Sequence, residues 1–122
     1  MTYLEKAKAM QHLMATVGSM EAFEKYYSDA CIITEMPTGE SRIGKDAQRE
    51  AIVQWFGTVD QYHGGGVDTI TADEERGVTM VECWFDVTLK EGGRHTMKEV
   101  AVQQWQGDHI VEERFYYNEH GQ

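Results

Sequence analysis

Glu113 is the side chain of this sequence best placed for acid–base chemistry. Its strand pattern aims it inward between Val111 and Phe115. A carboxyl taken out of water resists ionisation, and full burial raises its pKa by about 3–5 pH units. Such a group acts as a general acid or base near neutrality. The structural alternatives are a local bulge that turns Glu113 outward, or pairing with Lys98 or a tyrosine. His63, just before Gly64-Gly65-Gly66, is a second candidate base. Its alternative is an idle loop histidine. Tyr26, Tyr27, Tyr117 and Trp55 could line a pocket mouth, where phenols would donate to a ligand carbonyl. At helical and strand spacing the same rings also serve as plain core. Phe85, Lys98, Val100 and Phe115 complete the expected ligand-binding lining.

Other chemistries find no support in the spacing. The five histidines form no HxxxH or HxH pair, and Cys31 and Cys83 form no CxxC, so no metal site is expected. No serine or cysteine sits in a nucleophile-elbow phrase. The glycine triplet follows no strand-to-helix transition, which argues against a phosphate-cradling loop. No cofactor is expected.

The elements that must position these residues are legible in the pattern. Thr2 and Glu5 form a capping-box pair, and Tyr3, Ala7, Met10, Met14 and Val17 follow at helical spacing. Gly18 is expected to end this helix in the left-handed conformation, and Ser19 to cap a second helix carrying Phe23, Tyr26 and Tyr27. Ser28-Asp29 then breaks it. Cys31–Met36 reads as a strand stopped by Pro37, and Thr38–Gly44 as a loop. Asp46–Phe56 places Ala47, Ala51, Ile52, Trp55 and Phe56 on one helical face, closed by Gly57. A glycine-interrupted strand spans about Tyr62 to Ala72, with a bulge or bend at the triplet. Three strands follow: Val78–Leu89, Arg94–Gln106 and Ile110–Tyr117, turned at Gly92-Gly93 and Gly107-Asp108.

Alternation in the first of these puts Val81, Cys83, Phe85, Val87 and Leu89 inside. A two-residue turn at Gly92-Gly93 would pair Glu91 with Arg94 and turn Lys98, Val100, Val102 and Gln104 inward. A second at Gly107-Asp108 would add Val111, Glu113, Phe115 and Tyr117. Asp86 and Glu99 would then lie opposite each other, where like charges repel. The outer face would carry Met80, Trp84, Ala101 and Trp105 among polar residues, a composition that suits a homodimer surface.

The chain has 122 residues, suited to a single domain across 1–122 with one core. Its net charge of −10 and scattered Lys and Arg disfavour nucleic acid. No apolar run suits a membrane span, and the first residues lack signal-peptide order, so a cytoplasmic location is expected. Reduced cysteines fit it.

Several phrases together resemble the nuclear transport factor 2-like superfamily, in its SnoaL-like and ketosteroid-isomerase-like branches. They are Phe23 to Ile33, Arg42-Ile43-Gly44 with Ala51, Ile52 and Trp55-Phe56, and the closing hairpin from Gly107 to Asn118. The resemblance implies a cone-shaped α+β barrel, a curled antiparallel sheet wrapped around N-terminal helices, dimeric, with a pocket between sheet and helices. Ketosteroid isomerases carry an aspartate that falls here at Met36, a second acid near Val102 or Ala101, and a tyrosine near Met10 or Leu13. Without those groups steroid isomerisation is not expected. Two functions fit: a small-molecule-binding domain without catalysis, or a pocket enzyme doing acid–base chemistry on a small hydrophobic carbonyl compound.

Overall fold

A computed structural model describes residues 1–118. α1 (Tyr3–Thr16) and α2 (Ser19–Tyr26) lead into β1 (Tyr27–Glu35) and β2 (Glu40–Ile43). Then come α3 (Lys45–Gly57), β3 (Val59–Asp73), β4 (Val78–Leu89), β5 (Gly93–Gln106) and β6 (His109–Tyr117). The strands form one curled, unclosed sheet in the order β2-β1-β6-β5-β4-β3. Only the β1–β6 pair runs parallel. The fold is α+β.

Thr2 caps α1 through the expected capping box with Glu5. Gly18 does not end α1 in the left-handed region. Val17 closes it through its N–H to the Leu13 carbonyl at 2.9 Å, and Gly18 is the N-cap of α2 in place of Ser19. β1 starts directly at Tyr27, and the expected loop at 38–44 contains β2, whose Ser41 hydroxyl bonds Thr34 of β1. β3 is longer than expected and irregular at the glycines: its register against β4 slips between Tyr62 and Gly64. Gly66 lies close under Trp84: an added Cβ would sit 3.0 Å from the indole nitrogen, and the ring would have to shift.

The register of β4 against β5 differs from expectation. Leu89 pairs with Gly93 and Thr88 with Arg94, so Lys90, Glu91 and Gly92 form a three-residue loop. Gly92 and Gly93 adopt φ of 109° and 80°, which β-carbons resist. Arg94 bonds Asp86 at 2.8 and 3.1 Å instead of pairing with Glu91. An odd slip turns every side chain over. Lys98 and Val100 therefore point away from the helices, and Met97, Glu99, Ala101, Gln103 and Trp105 point toward them. Asp86 faces Thr96 rather than Glu99, which removes the expected repulsion.

The second turn keeps its expected pairing of Gln106 with His109, but a bulge follows: Trp105 pairs with Ile110 and Gln104 with Glu112. That extra residue reverses β6 once more. Glu113, Phe115 and Tyr117 regain the inner face, while fully buried Ile110 takes the place expected for Val111. Two slips cancel at Glu113.

Ala7 and Met10 of α1 and Ala22 and Phe23 of α2 pack on Tyr27, Cys31, Ile33, Trp105 and Ile110. Trp105, expected outside, is 3% exposed in this core. Its apolar area and its indole N–H are both satisfied there.

Candidate functional site

A ladder of polar groups crosses the inner face of the sheet. The Trp105 indole Nε1 donates to Thr79 Oγ1 at 2.8 Å, and the Thr79 hydroxyl donates to Gln103 Oε1 at 2.8 Å. Gln103 Nε2 then donates to Glu113 Oε2 at 2.8 Å, while the Tyr27 hydroxyl donates to Glu113 Oε1. Thr79, Gln103 and Glu113 are almost wholly buried. Alternation on β4, β5 and β6 brings them together, because residues 79, 103 and 113 share the helix-facing side of adjacent strands. Burial raises the Glu113 carboxyl to about 7 even though the bonds from Tyr27 and Gln103 pull against that rise.

The tyrosine that was one structural alternative does pair with Glu113, and Lys98 does not. Burial, with the neighbouring Glu113 charge second, raises the Tyr27 phenol well above its ordinary value. Tyr27 is thus a donor at physiological pH and an anchor for Glu113.

Further along the same face, Glu99 lies between Cys83 of β4 and Tyr117 of β6. Burial first, then the charges of Glu113 and Glu35, push the Glu99 carboxyl up to about 7. Among the described residues none donates a hydrogen bond to it. Cys83 is pushed up to about 12, by burial and then by Glu99, and stays a thiol. The third inward acid, Glu35 at the end of β1, is committed. Arg42 Nη2 reaches its Oε2 at 2.5 Å and Tyr117 donates to its Oε1 at 2.8 Å. Arg42 is itself fixed by Gln48 Oε1 at 2.7 Å.

The expected site residues fall into three groups. Glu113, Tyr27, Phe115 and Tyr117 lie together on the inner face, and Phe85 joins them opposite Met97. Trp55 reaches this face from α3, its ring meeting Phe85 edge-on at 5.3 Å. Tyr26 packs edge-on to Trp105 at 6.0 Å, as core. Lys98 and Val100 are on the other face for the register reason given above. His63 is exposed on β3, bonded to Thr88 Oγ1 at 2.7 Å, and no acid of the inner face contacts it.

Sequence reasoning missed Glu99, Glu35 and Gln103. The signal was available in β5. An inward Lys98 would need a buried partner, whereas an inward Trp105 would bury the largest side chain. The inward acids lie close to the positions the resemblance pointed to: Glu35 is one residue before Met36, and Glu99 is two before Ala101.

Two concavities open beside α3. One is bordered by Arg42, Ala51, Trp55 and Thr58, the other by Asp29, Gly44, Lys45 and Arg49. Trp55 connects the first with Phe85 and the inner face. Among the described residues no three His, Cys, Asp or Glu side chains converge as a metal site. None of their helices is long and apolar enough to cross a membrane.

No protein-family model and no curated protein matches the chain. Solved structures do. A candidate SnoaL-like polyketide cyclase from Mesorhizobium loti is 33% identical, with a TM-score of 0.83 over 96% of this chain and 100% of its own. An NTF2-like protein of unknown function from Burkholderia pseudomallei superimposes with a TM-score of 0.78 at 14% identity, over 97% and 92% of the two chains. A cystatin-fold protein from Novosphingobium aromaticivorans does so with 0.71 at 21% identity, over 95% and 98%. The latter two share the fold; the first shares sequence over the whole domain as well. The chain is therefore a SnoaL-like member of the nuclear transport factor 2-like superfamily.

Proposed function

We propose that this domain binds a small, uncharged, hydrophobic carbonyl compound against the inner face of its sheet and exchanges a proton with it through Glu99. The observation that carries this reading is Glu99 itself: an inward carboxyl, pushed up to about 7, with no hydrogen-bond donor among the described residues. At neutral pH such a group is populated both as acid and as base. Glu113 has both oxygens engaged and is 2% exposed, so it cannot reach a ligand. Phe85, Phe115 and Tyr117 supply apolar surface beside Glu99. Arg42 is committed to Glu35, and among the described residues no other cation bonds the inner acids, which disfavours an anionic ligand.

The sealed state of Glu113 favours a second reading, binding without chemistry. The experiment that separates the two is proton exchange of simple aryl ketones in deuterated buffer, followed by NMR. Glu99 would remove the α-proton, the enolate would form, and a deuteron would return to carbon. Enzyme-dependent exchange that falls at least tenfold in Glu99→Gln supports the first reading. Ketone binding without exchange supports the second. Absence of both refutes the ligand class.

The outer sheet face we assign to a homodimer. Met80 is 45% exposed and Trp84 is half-buried, both among polar neighbours. Trp105 takes no part in it. Free thiols at Cys31 and Cys83 fit a reducing compartment such as the cytoplasm.

A further inference from the structure

We infer that the inner face places the first negative charge of its buried acid pair on Glu113 and the last proton on Glu99, and that Gln103 is the positioning residue that sets this order. The inference deepens the proton-exchange reading and rests on it for its functional meaning.

Hydrogen-bond direction orders the links of the ladder. An indole N–H can only donate. Trp105 therefore makes the Thr79 oxygen an acceptor, and the Thr79 proton goes to the remaining neighbour, Gln103 Oε1. With its carbonyl so occupied, Gln103 must turn its amide N–H toward Glu113. The Tyr27 hydroxyl completes the set on the other oxygen. Every link points the same way and ends on one carboxyl. A carboxylate accepts at both oxygens, whereas a protonated carboxyl would have to reverse the Tyr27 bond, since the Gln103 N–H cannot accept. The ladder thus stabilises Glu113 as the anion.

Among the described residues no such donor meets Glu99, which also feels the Glu113 charge, so the proton that the pair retains resides there. Other titratable groups do not reverse the assignment. Cys31 and Glu35 from β1 and Cys83 from β4 add no positive charge. Lys45 of α3 spends its ammonium on the carbonyls of Glu24 and Tyr27, at 2.7 and 3.0 Å, and Arg42 of β2 is held by Glu35. Near neutrality the ionised part of the Glu99 population can take a proton from a bound molecule, and the protonated part can return one.

The test is a carboxyl-carbon NMR titration of glutamate-labelled protein without ligand, with assignments from Glu99→Gln and Glu113→Gln. Glu113 is expected to titrate at lower pH than Glu99. Gln103→Met should move Glu113 upward and Glu99 downward. Glu113→Gln, nearly isosteric, should return Glu99 toward the ordinary carboxylate range. A purely structural Gln103 would alter stability without moving these two titrations in opposite directions. Glu99 titrating below Glu113 in the wild type overturns the inference, as does an unchanged Glu99 in folded Glu113→Gln. Should Gln103→Met fail to fold, those two measurements decide. Because no ketone is present, failure of proton exchange leaves this result standing, and the reverse also holds.

Discussion

Replacing Glu99 by glutamine should change how stability depends on pH. In the folded protein the carboxyl sits at about 7, against an ordinary value of 4.5. A raised acid binds protons that the unfolded chain has already released between those two values. Stability therefore falls as pH rises from 4.5 to 7. At 1.36 kcal/mol per pH unit, the difference of about 2.5 gives about 3 kcal/mol. That is an upper figure, since Glu99 is only mostly buried. Glutamine keeps the shape but cannot ionise. The variant should match wild type below about pH 4 and exceed it by up to about 3 kcal/mol at pH 8. With a urea m-value of about 2 kcal/mol/M, the denaturation midpoint would rise by about 1.5 M at pH 8. General self-repulsion from the net charge of −10 acts in the same direction, but the variant keeps nearly all of it. The difference between the two proteins thus isolates the site. The exposed carboxyls with lowered values, Glu24 and Asp86 among them, lose their partners' support only below this window. Equal pH slopes for the two proteins would refute the burial argument for Glu99.

Met10→Ala should destabilise the domain by about 2–5 kcal/mol in urea denaturation, because Met10 is fully buried where α1 meets the sheet. Trp84→Glu should convert a dimer to a monomer in sedimentation or light scattering with the far-ultraviolet spectrum unchanged; a monomeric wild type sinks the interface.

The helices and the four-strand meander were legible because they rest on local signals: a capping box, apolar spacing and glycine turns. β2 was not, since four residues at a sheet edge carry too short an alternation to read. Strand facing was legible in β4, where the inner set is uniformly apolar. It was not in β5, where Lys98, Val100 and Val102 alternate with Glu99, Ala101 and Gln103 and neither set is clearly the core. There the turn decides, and two glycines admit either a two- or a three-residue loop. The bulge at Val111, opposite the Gln104–Trp105 step, has no local marker, and it places both Trp105 and Ile110 in the same core. Glu113 was read correctly only because these two effects cancel. Glu99 was lost because only the first of them applies to it.

The three inward acids have three different fates, and the contrast argues for function. Glu35 is neutralised by Arg42 and held by Tyr117. Glu113 is the terminus of a donor ladder that a stable interior could hardly omit once the carboxyl is there, since an unmatched buried charge costs several kcal/mol. Among the described residues Glu99 has neither remedy. An apolar residue of similar size at 99, beside Cys83 and Ala101, would remove that cost and leave the rest of the inner face intact. Packing gives no reason to keep a carboxyl there, and folding is easier without it. A bare acid tuned to neutrality by a neighbour whose own charge is carefully secured is what proton exchange with a bound molecule requires.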